Sequence, residues 1–336
     1  MAATIKDVAK MAGVSISTVS RVINDSKPVS PDARRRVLEA VKALEYEPNE
    51  VARSLVTKKS NLIGVIVNDI GQSSISQSLR GIEEIGRMYN YDILLVSSYG
   101  SKESEIKYVK LLQQKQVEGI IVISEIYNEV LLETLKGLKI PYVYLNRYYT
   151  VKDIPTVSVN NRESSMDMTN YLLRMGHEKI AYVTYLRGEK DNLENYKIEG
   201  YKKVMEQNKL SSNILTLSDL SEEAYLDLVT QIEERIRAKE ITALFVYNDD
   251  CAIRLINLLL DDGFDVPEDI SVVGFGDNQM SAVFRPKLTT VKEPFYDYGA
   301  VAIRRLLKEI NKEPKDDAKI FLPSRIVERQ TVKKLK

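Results

Sequence analysis

The chain has 336 residues, 44% of them hydrophobic, and its 48 Lys/Arg balance 48 Asp/Glu; a length beyond one ordinary domain predicts two or three. One cysteine, Cys251, excludes an internal disulfide framework, and with one histidine it leaves too few ligands for a His/Cys metal site or a histidine pair for acid–base chemistry. Charge is uneven: residues 1–60 hold 11 Lys/Arg against 7 Asp/Glu and the remainder 37 against 41, so the basic end is the nucleic-acid end.

In chain order, Thr4 followed three residues later by Asp7 forms a capping box, opening a short helix that carries Val8, Ala9 and Met11 and that Gly13 ends. Ser15 caps a second helix whose Val19, Val22 and Ile23 fall at spacings of three and four and face inward. Its other face gathers Ser15, Ile16, Ser17 and Thr18 in the first turn, with Ser20, Arg21 and Asn24 following. Short polar groups beside one long guanidinium are what a helix in a DNA major groove presents. Ser30 as cap and Pro31 at the first helical position announce a third helix, with Val37, Leu38, Val41 and Leu44 closing a small core. Two short helices joined by a glycine also occur in bundles that never touch DNA. Arg34 to Arg36 read as a solvated helix face.

Beyond Ser60, apolar β-branched runs alternate with helical patterns, the signature of parallel sheets covered by helices on both faces. Strands are expected at 62–67, 92–96, 119–123 and 141–145, interleaved with helices near 76–88, 103–115 and 128–138. A second unit begins after Val159, with strands at 179–183, 243–246 and 270–275 and helices at 162–175, 196–208, 222–239 and 250–263. The chain then returns, because 296–311 is a helix better placed on the first unit and 319–329 is a last strand and extension. His177, where a helix gives way to a strand, reads as a cap or turn residue. The start MAATIKDVAK lacks the apolar stretch of a signal peptide and no run of about eighteen apolar residues occurs, so a cytoplasmic protein without a membrane span is expected.

The headpiece, the segment Tyr46-Glu47-Pro48-Asn49-Glu50-Val51-Ala52-Arg53-Ser54-Leu55 and the strand LIGVIVNDI resemble, in order and spacing, the lactose and galactose repressor family of bacterial transcription regulators. Supporting stretches, among them Arg80-Gly81-Ile82-Glu83, Glu118-Gly119-Ile120-Ile121, Asn248-Asp249 and Pro286-Lys287-Leu288-Thr289-Thr290-Val291, extend the resemblance over nearly the whole chain. It implies an α/β protein: an N-terminal helix-turn-helix headpiece and a two-subdomain, periplasmic-binding-protein-like core with parallel sheets. The implied organisation is headpiece 1–48, hinge helix or linker 49–60, one core subdomain of 61–160 with 292–320, and another of 161–291 with 321–336.

By that resemblance the protein is a sequence-specific repressor, or also an activator, reading a palindromic double-stranded operator as a homodimer. Ile16 and Ser17 would meet base edges and Arg21 a guanine, while Thr4, Thr18, Ser20, Asn24 and Ser30 would hold phosphates, with Ser15 on the same DNA-facing side. Tyr46, Asn49, Ala52 and Leu55 belong to the DNA-facing set. The segment 49–56 is too short to be a stable helix alone and would fold on DNA, with paired Leu55 side chains wedged into the minor groove, or else would be a plain linker with Leu55 packed on the core.

Family members that sense sugars place an arginine three residues before a Gly-aromatic pair and an aspartate directly after Gly-Phe. Here those positions are Lys197 and Gly276, and the aromatic pair expected after Asp69-Ile70 is replaced by Gly71-Gln72-Ser73-Ser74. A planar fork has become a point charge and a carboxylate a hydrogen, which weakens hydroxyl clamping. Lys197, Asn248, Asp249 and Asp277 remain as candidates for a small effector.

The stretch Tyr296-Asp297-Tyr298-Gly299-Ala300-Val301-Ala302-Ile303-Arg304-Arg305-Leu306-Leu307-Lys308 is similar to the catabolite-control branch of the family in Gram-positive bacteria. There the corepressor is the phosphocarrier protein HPr, phosphorylated on a serine. Asp297, Arg304 and Lys308 share one helical stripe, a suitable clamp for a phosphoserine, with Tyr296 and Asp69 as further contacts, or else they are an ordinary charged helix face. No nucleophile elbow, phosphate-cradling glycine loop or acid–base pair occurs, so neither an enzyme nor a cofactor is expected.

Overall fold

The computed structural model describes residues 3–25, 27–47, 59–124, 128–145, 154–185, 193–314 and 317–335, in two compact units, Met1–Ser60 and Asn61–Lys336. In the first, three helices, α1 (Ile5–Ala12), α2 (Ile16–Ile23) and α3 (Pro31–Ala43), enclose a small core of Val8, Ala9, Ala12, Val19, Val22, Val37 and Ala40. The capping box is present: the Thr4 hydroxyl donates to Asp7 Oδ2 at 2.6 Å, the Thr4 N–H donates to the same oxygen at 2.9 Å, and the Asp7 N–H donates to Thr4 Oγ1 at 3.4 Å. Those Thr4 bonds hold the Asp7 carboxyl below its ordinary pKa. Gly13 ends α1 with a left-handed φ of 62°, and Ser15 and Ser30 cap α2 and α3 as expected.

One expected core residue lies outside: Leu38 is 51% exposed. On α3 the inward positions are 33, 37 and 40, at helical spacing, and small alanines at two of them let α1 approach. Leu38 stands about a hundred degrees round from Val37, on the same side as Arg34, Arg35 and Lys42. Full burial of valines such as Val8, Val19 and Val37 contributes about 1.5–3 kcal/mol each, which is most of what so small a core offers.

The second unit holds two six-stranded sheets. The first contains β1 (Leu62–Val67), β2 (Asp92–Ser97), β3 (Gly119–Ile123), β4 (Tyr142–Leu145) and β5 (Thr156–Ser158). Between them run α4 (Ser73–Met88), α5 (Lys102–Gln114) and α6 (Glu129–Gly137). The second sheet contains β6 (Ile180–Thr184), β7 (Asn213–Thr216), β8 (Ala243–Val246), β9 (Ser271–Gly276) and β10 (Thr289–Lys292). Its helices are α7 (Asn161–Arg174), α8 (Leu193–Gln207), α9 (Glu222–Arg237), α10 (Asp249–Asp261) and the short α11 (Gln279–Val283).

The chain then recrosses. α12 (Phe295–Ile310) packs on α4, β11 (Lys319–Phe321) joins the first sheet beside β5, and β12 (Arg325–Val327) pairs antiparallel with β10 in the second. The strand orders are β11-β5-β4-β3-β1-β2 and β12-β10-β9-β8-β6-β7, and every pairing except β10 with β12 is parallel.

Burial on both faces explains the near-continuous apolar strands. Ile63, Val65 and Val67 face α4 and α12 while Ile66 faces α5 and α6; likewise Ala181 and Val183 enter one core and Ile180 and Tyr182 the other. The single strand expected at 319–329 is two strands in two sheets, separated by Pro323 and Ser324, because proline donates nothing to a ladder and the chain crosses between sheets there. β5, β7, β10 and α11, each of three to five residues, are additions to the expected elements.

His177 follows α7 as expected of a turn residue, but it is fully buried: Nδ1 lies 3.1 Å from Thr242 Oγ1 and Nε2 donates to the Lys333 carbonyl at 3.0 Å, tying the carboxy-terminal tail to the second sheet. Burial pushes its pKa below the ordinary 6.5, opposed by the Lys333 bond and aided by the Lys333 charge. The neutral ring is thus favoured in the fold, so stability is full above the unfolded value and declines as pH falls through it toward the folded one. The expected outcome is that His177→Gln, compared with the parent by thermal melting at about pH 7.5 and 5.5, loses less melting temperature on acidification. Equal losses would contradict the assignment.

Candidate functional site

α2 carries the polar face foreseen from its sequence. Ser15 Oγ accepts the Thr18 N–H at 3.2 Å and lies 2.7 Å from Ser17 Oγ and 2.9 Å from Thr18 Oγ1. One turn on, Asn24 Nδ2 donates to the Ser20 carbonyl at 2.9 Å and to Ser20 Oγ at 3.2 Å. The hydroxyls are therefore pre-arranged into two small clusters. Ile16, Ser17 and Arg21 are exposed between them.

The arginines separate into two groups. Arg34 pairs with Asp25, Arg35 with Asp32 and Glu39, and Arg36 with Asp32, all at the solvated surface. Arg21 makes no ion pair among the described residues, which leaves its five donors for a partner outside the chain. Thr4 and Ser30 serve as helix caps, and Tyr46 is half-buried against the headpiece core. Asn49, Ala52 and Leu55 lie outside the described residues.

In the second unit the four effector candidates are engaged by the protein itself. Lys197 Nζ donates to the Tyr247 carbonyl at 3.0 Å, lies 3.7 Å from Glu194 Oε2 and stands 4.0 Å over the Phe275 ring. Glu194 is buried and accepts from the Tyr182 hydroxyl at 2.7 Å and Thr184 Oγ1 at 3.1 Å. Burial pushes its pKa up, and Lys197 is the main opposing influence.

Asp249 is 2% exposed and accepts from Thr290 Oγ1 at 2.5 Å, Ser281 Oγ at 2.8 Å and the Asn278 N–H at 2.9 Å. Asn248 caps α10 by accepting the Cys251 N–H at 2.8 Å. Asp277 pairs with Arg329 at 2.5 Å and Lys292 at 3.5 Å. Gly276, with φ at 135°, occupies a backbone region that L side chains rarely adopt, so a carboxylate at that position would be strained.

A cavity of ≈ 80 Å³ is walled mostly by the first subdomain, with Asn68, Gln72, Ser74, Ser124 and Phe295 among its walls, and is completed by Leu193 at the start of α8 in the second. Asn68 is buried and its Oδ1 has no hydrogen-bond partner. This set lies apart from Lys197, Asn248, Asp249 and Asp277, the effector candidates that the sequence offers. Its one sequence signal was the polar Gln72-Ser73-Ser74 run standing where an aromatic pair was expected.

On α12, Asp297 and Arg304 are exposed, while Tyr296, Val301 and Lys308 are half-buried. The Tyr296 hydroxyl donates to Glu84 Oε2 at 2.8 Å, and Arg80 pairs with Glu84 at 2.8 Å. Arg304 has no carboxylate partner among the described residues. Asp69 lies in the β1–α4 connection, where its Oδ1 accepts the Gly71 N–H at 2.9 Å. No group of His, Cys, Asp and Glu suited to a metal, and no helix long and apolar enough to cross a membrane, is present among the described residues.

Residues 4–49 match the family described as bacterial regulatory proteins, lacI family, and residues 169–332 match the periplasmic binding protein-like domain. The chain is 36% identical to the HTH-type transcriptional regulator RegA of Clostridium saccharobutylicum over 98% of this chain and 99% of that protein. It is also 36% identical to catabolite control protein A of Priestia megaterium over 99% and 100% of the two. Among solved structures, the lac repressor dimer bound to operator and the anti-inducer ONPF superimposes with a TM-score of 0.88 at 26% identity, covering 99% of this chain and 100% of that one. The protein belongs to the lacI family of DNA-binding transcription regulators, whose relatives named here are regulators and not enzymes. Within the family it is similar over its whole length to catabolite control protein A and RegA.

Removing the Asp249 carboxylate strands the buried Asn278 N–H and takes from the Ser281 and Thr290 hydroxyls the shorter of their two bonds, so Asp249→Ala is expected to cost about 1–3 kcal/mol of stability by denaturant titration. A loss under about 0.5 kcal/mol would show that the carboxylate is not a structural tie.

Proposed function

We propose that the protein regulates carbon catabolite genes, binding a roughly palindromic operator as a homodimer and gaining affinity when serine-phosphorylated HPr docks on α12. The carrying observation is the α12 surface, where Arg304, exposed and without a carboxylate partner among the described residues, shares a helical stripe with exposed Asp297 and half-buried Lys308. A phosphoserine with nearly two negative charges pairs well with such a guanidinium and ammonium one turn apart. The full-length likeness to catabolite control protein A supports this reading, and so does the internal engagement of Lys197, Asp249 and Asp277.

On the DNA side, Arg21 reads a guanine, Ile16 and Ser17 meet base edges, and the remaining hydroxyls and amides of α2, with Thr4 and Ser30, hold phosphates. Tyr46, Asn49, Ala52 and Leu55 continue the DNA-facing surface, with Leu55 as a minor-groove wedge. Arg21→Ala is then expected to lose about 1–3 kcal/mol on the specific operator and little on random duplex, whereas Ser20→Ala weakens both alike. Gel-shift titration on both DNAs checks this, and equal losses for Arg21→Ala would contradict it.

A docked carrier shifts the core only through different affinities for two arrangements of the subdomains. Operator affinity measured with phosphorylated HPr, unphosphorylated HPr and no carrier is expected to rise with the first alone. Arg304→Ala should abolish that rise and leave the carrier-free affinity unchanged. A parent protein indifferent to the phosphorylated carrier would overturn the proposal.

The second reading is control by a small ligand such as a sugar, and the cavity beside Asn68, with its unpartnered Oδ1, is the observation favouring it. Calorimetry with sugars and sugar phosphates separates the two. Strengthening of DNA binding by such a ligand as large as that by the carrier would select the second.

A further inference from the structure

Glu118 precedes β3, and its side chain reaches the residue at which the chain arrives in the core. Oε1 accepts the Asn61 backbone N–H at 2.7 Å, and Oε2 accepts the Tyr91 hydroxyl at 3.2 Å. From the other side, the Asp92 N–H donates to the Asn61 carbonyl at 2.8 Å, and the Glu118 N–H donates to the Leu62 carbonyl at 2.8 Å. The β1–β3 pairing begins at Ile63 with Gly119, so Asn61 lies outside it and its N–H relies on the carboxylate. Asn61 also has a left-handed φ of 52°, which asparagine tolerates better than most side chains but which needs surrounding bonds to persist. Burial first and Glu118 second push the Tyr91 pKa up to about 12, so its hydroxyl remains a donor to the carboxylate.

We propose that Glu118 is a positioning residue for DNA binding: by clamping the Asn61 backbone it holds fixed the residue at which the chain enters the core. The proposal rests on the DNA-reading function and adds to it a residue far in sequence from the headpiece. A charge-assisted bond to a backbone donor is among the stronger single contacts available. Without it Asn61 gains backbone freedom that operator binding must remove again, and freeing about one residue is worth roughly a tenfold loss of affinity.

Three variants isolate the clamp. Glu118→Val removes it, Glu118→Gln keeps an acceptor for Asn61, and Tyr91→Phe removes the other bond to the carboxylate while leaving the Asn61 bond. The probe is a palindromic duplex selected from random DNA by the parent protein. That selection establishes the DNA-reading function independently, so its failure is distinguishable from failure of the clamp. Glu118→Val is expected to bind this duplex about tenfold more weakly, and the other two within about twofold of the parent. Amide hydrogen exchange at Asn61 should quicken in Glu118→Val alone. The proposal is overturned if Glu118→Val keeps parental affinity, if Glu118→Gln is as weak as Glu118→Val, or if affinity follows melting temperature across all three variants.

Discussion

Two helices far apart in sequence meet at backbone distance, and the layout of the core depends on that seam. A Cβ on Gly81 of α4 would stand 2.1 Å from the Tyr296 carbonyl oxygen, and one on Gly299 of α12 would stand 1.9 Å from the Ser78 oxygen. Helix pairs spaced by ordinary side chains keep their axes about 8–10 Å apart. Two facing glycines remove that spacer. The chain leaves the first sheet after β5, builds the second, and is brought back by this seam, with Tyr296 bonded to Glu84 beside it. Because α12 is seated by its buried face on α4, its outer stripe is fixed in orientation. The first subdomain thus owes an outer face to a helix encoded more than two hundred residues after α4.

Charge is distributed by the same economy of pairing. Buried or half-buried ionisable groups are tied inside the chain: Lys197 to Glu194 and Tyr247, Asp277 to Arg329, Asp249 to hydroxyls and an amide. Burying such groups without partners would cost several kcal/mol each. On α3 and α4 the surface arginines are paired as well, at little energetic consequence. Several exposed arginines have no carboxylate partner among the described residues, Arg174, Arg285 and Arg325 among them, and two of these unpaired guanidiniums, Arg21 and Arg304, stand on the proposed binding faces. A guanidinium left unpaired is available for phosphate or guanine. One lies on the headpiece and one on the core.

The parts of this layout legible in the sequence were those fixed by local rules. Thr4 with Asp7, Ser15 and Ser30 marked the three headpiece helices, and the apolar runs beginning at Leu62 and Ala243 marked doubly covered strands. Leu38 misled because apolar character alone does not give inward direction; small Ala33 and Ala40 hold the contact. The division of 319–329 into β11 and β12 was hidden because each strand is three residues long and borrows its partner from elsewhere in the chain. Lys197 shows the sharper limit. Its position in a family pattern was readable, and Glu194 is its neighbour on α8, but its commitment to Tyr247 and Phe275 depends on segments that only folding brings together. Asn68 was passed over for the same reason, since an orphaned carbonyl exists only once its surroundings are buried.

Under the proposed function one assembly joins the DNA-reading headpiece to a carrier-binding core, and that assembly has a defined composition. Native mass spectrometry of the protein with operator duplex and serine-phosphorylated HPr measures that composition. A symmetric dimer with one carrier surface per protomer is expected to give two protomers, one duplex and two carriers. A duplex complex that excludes the carrier, or a single protomer on the duplex, would contradict it.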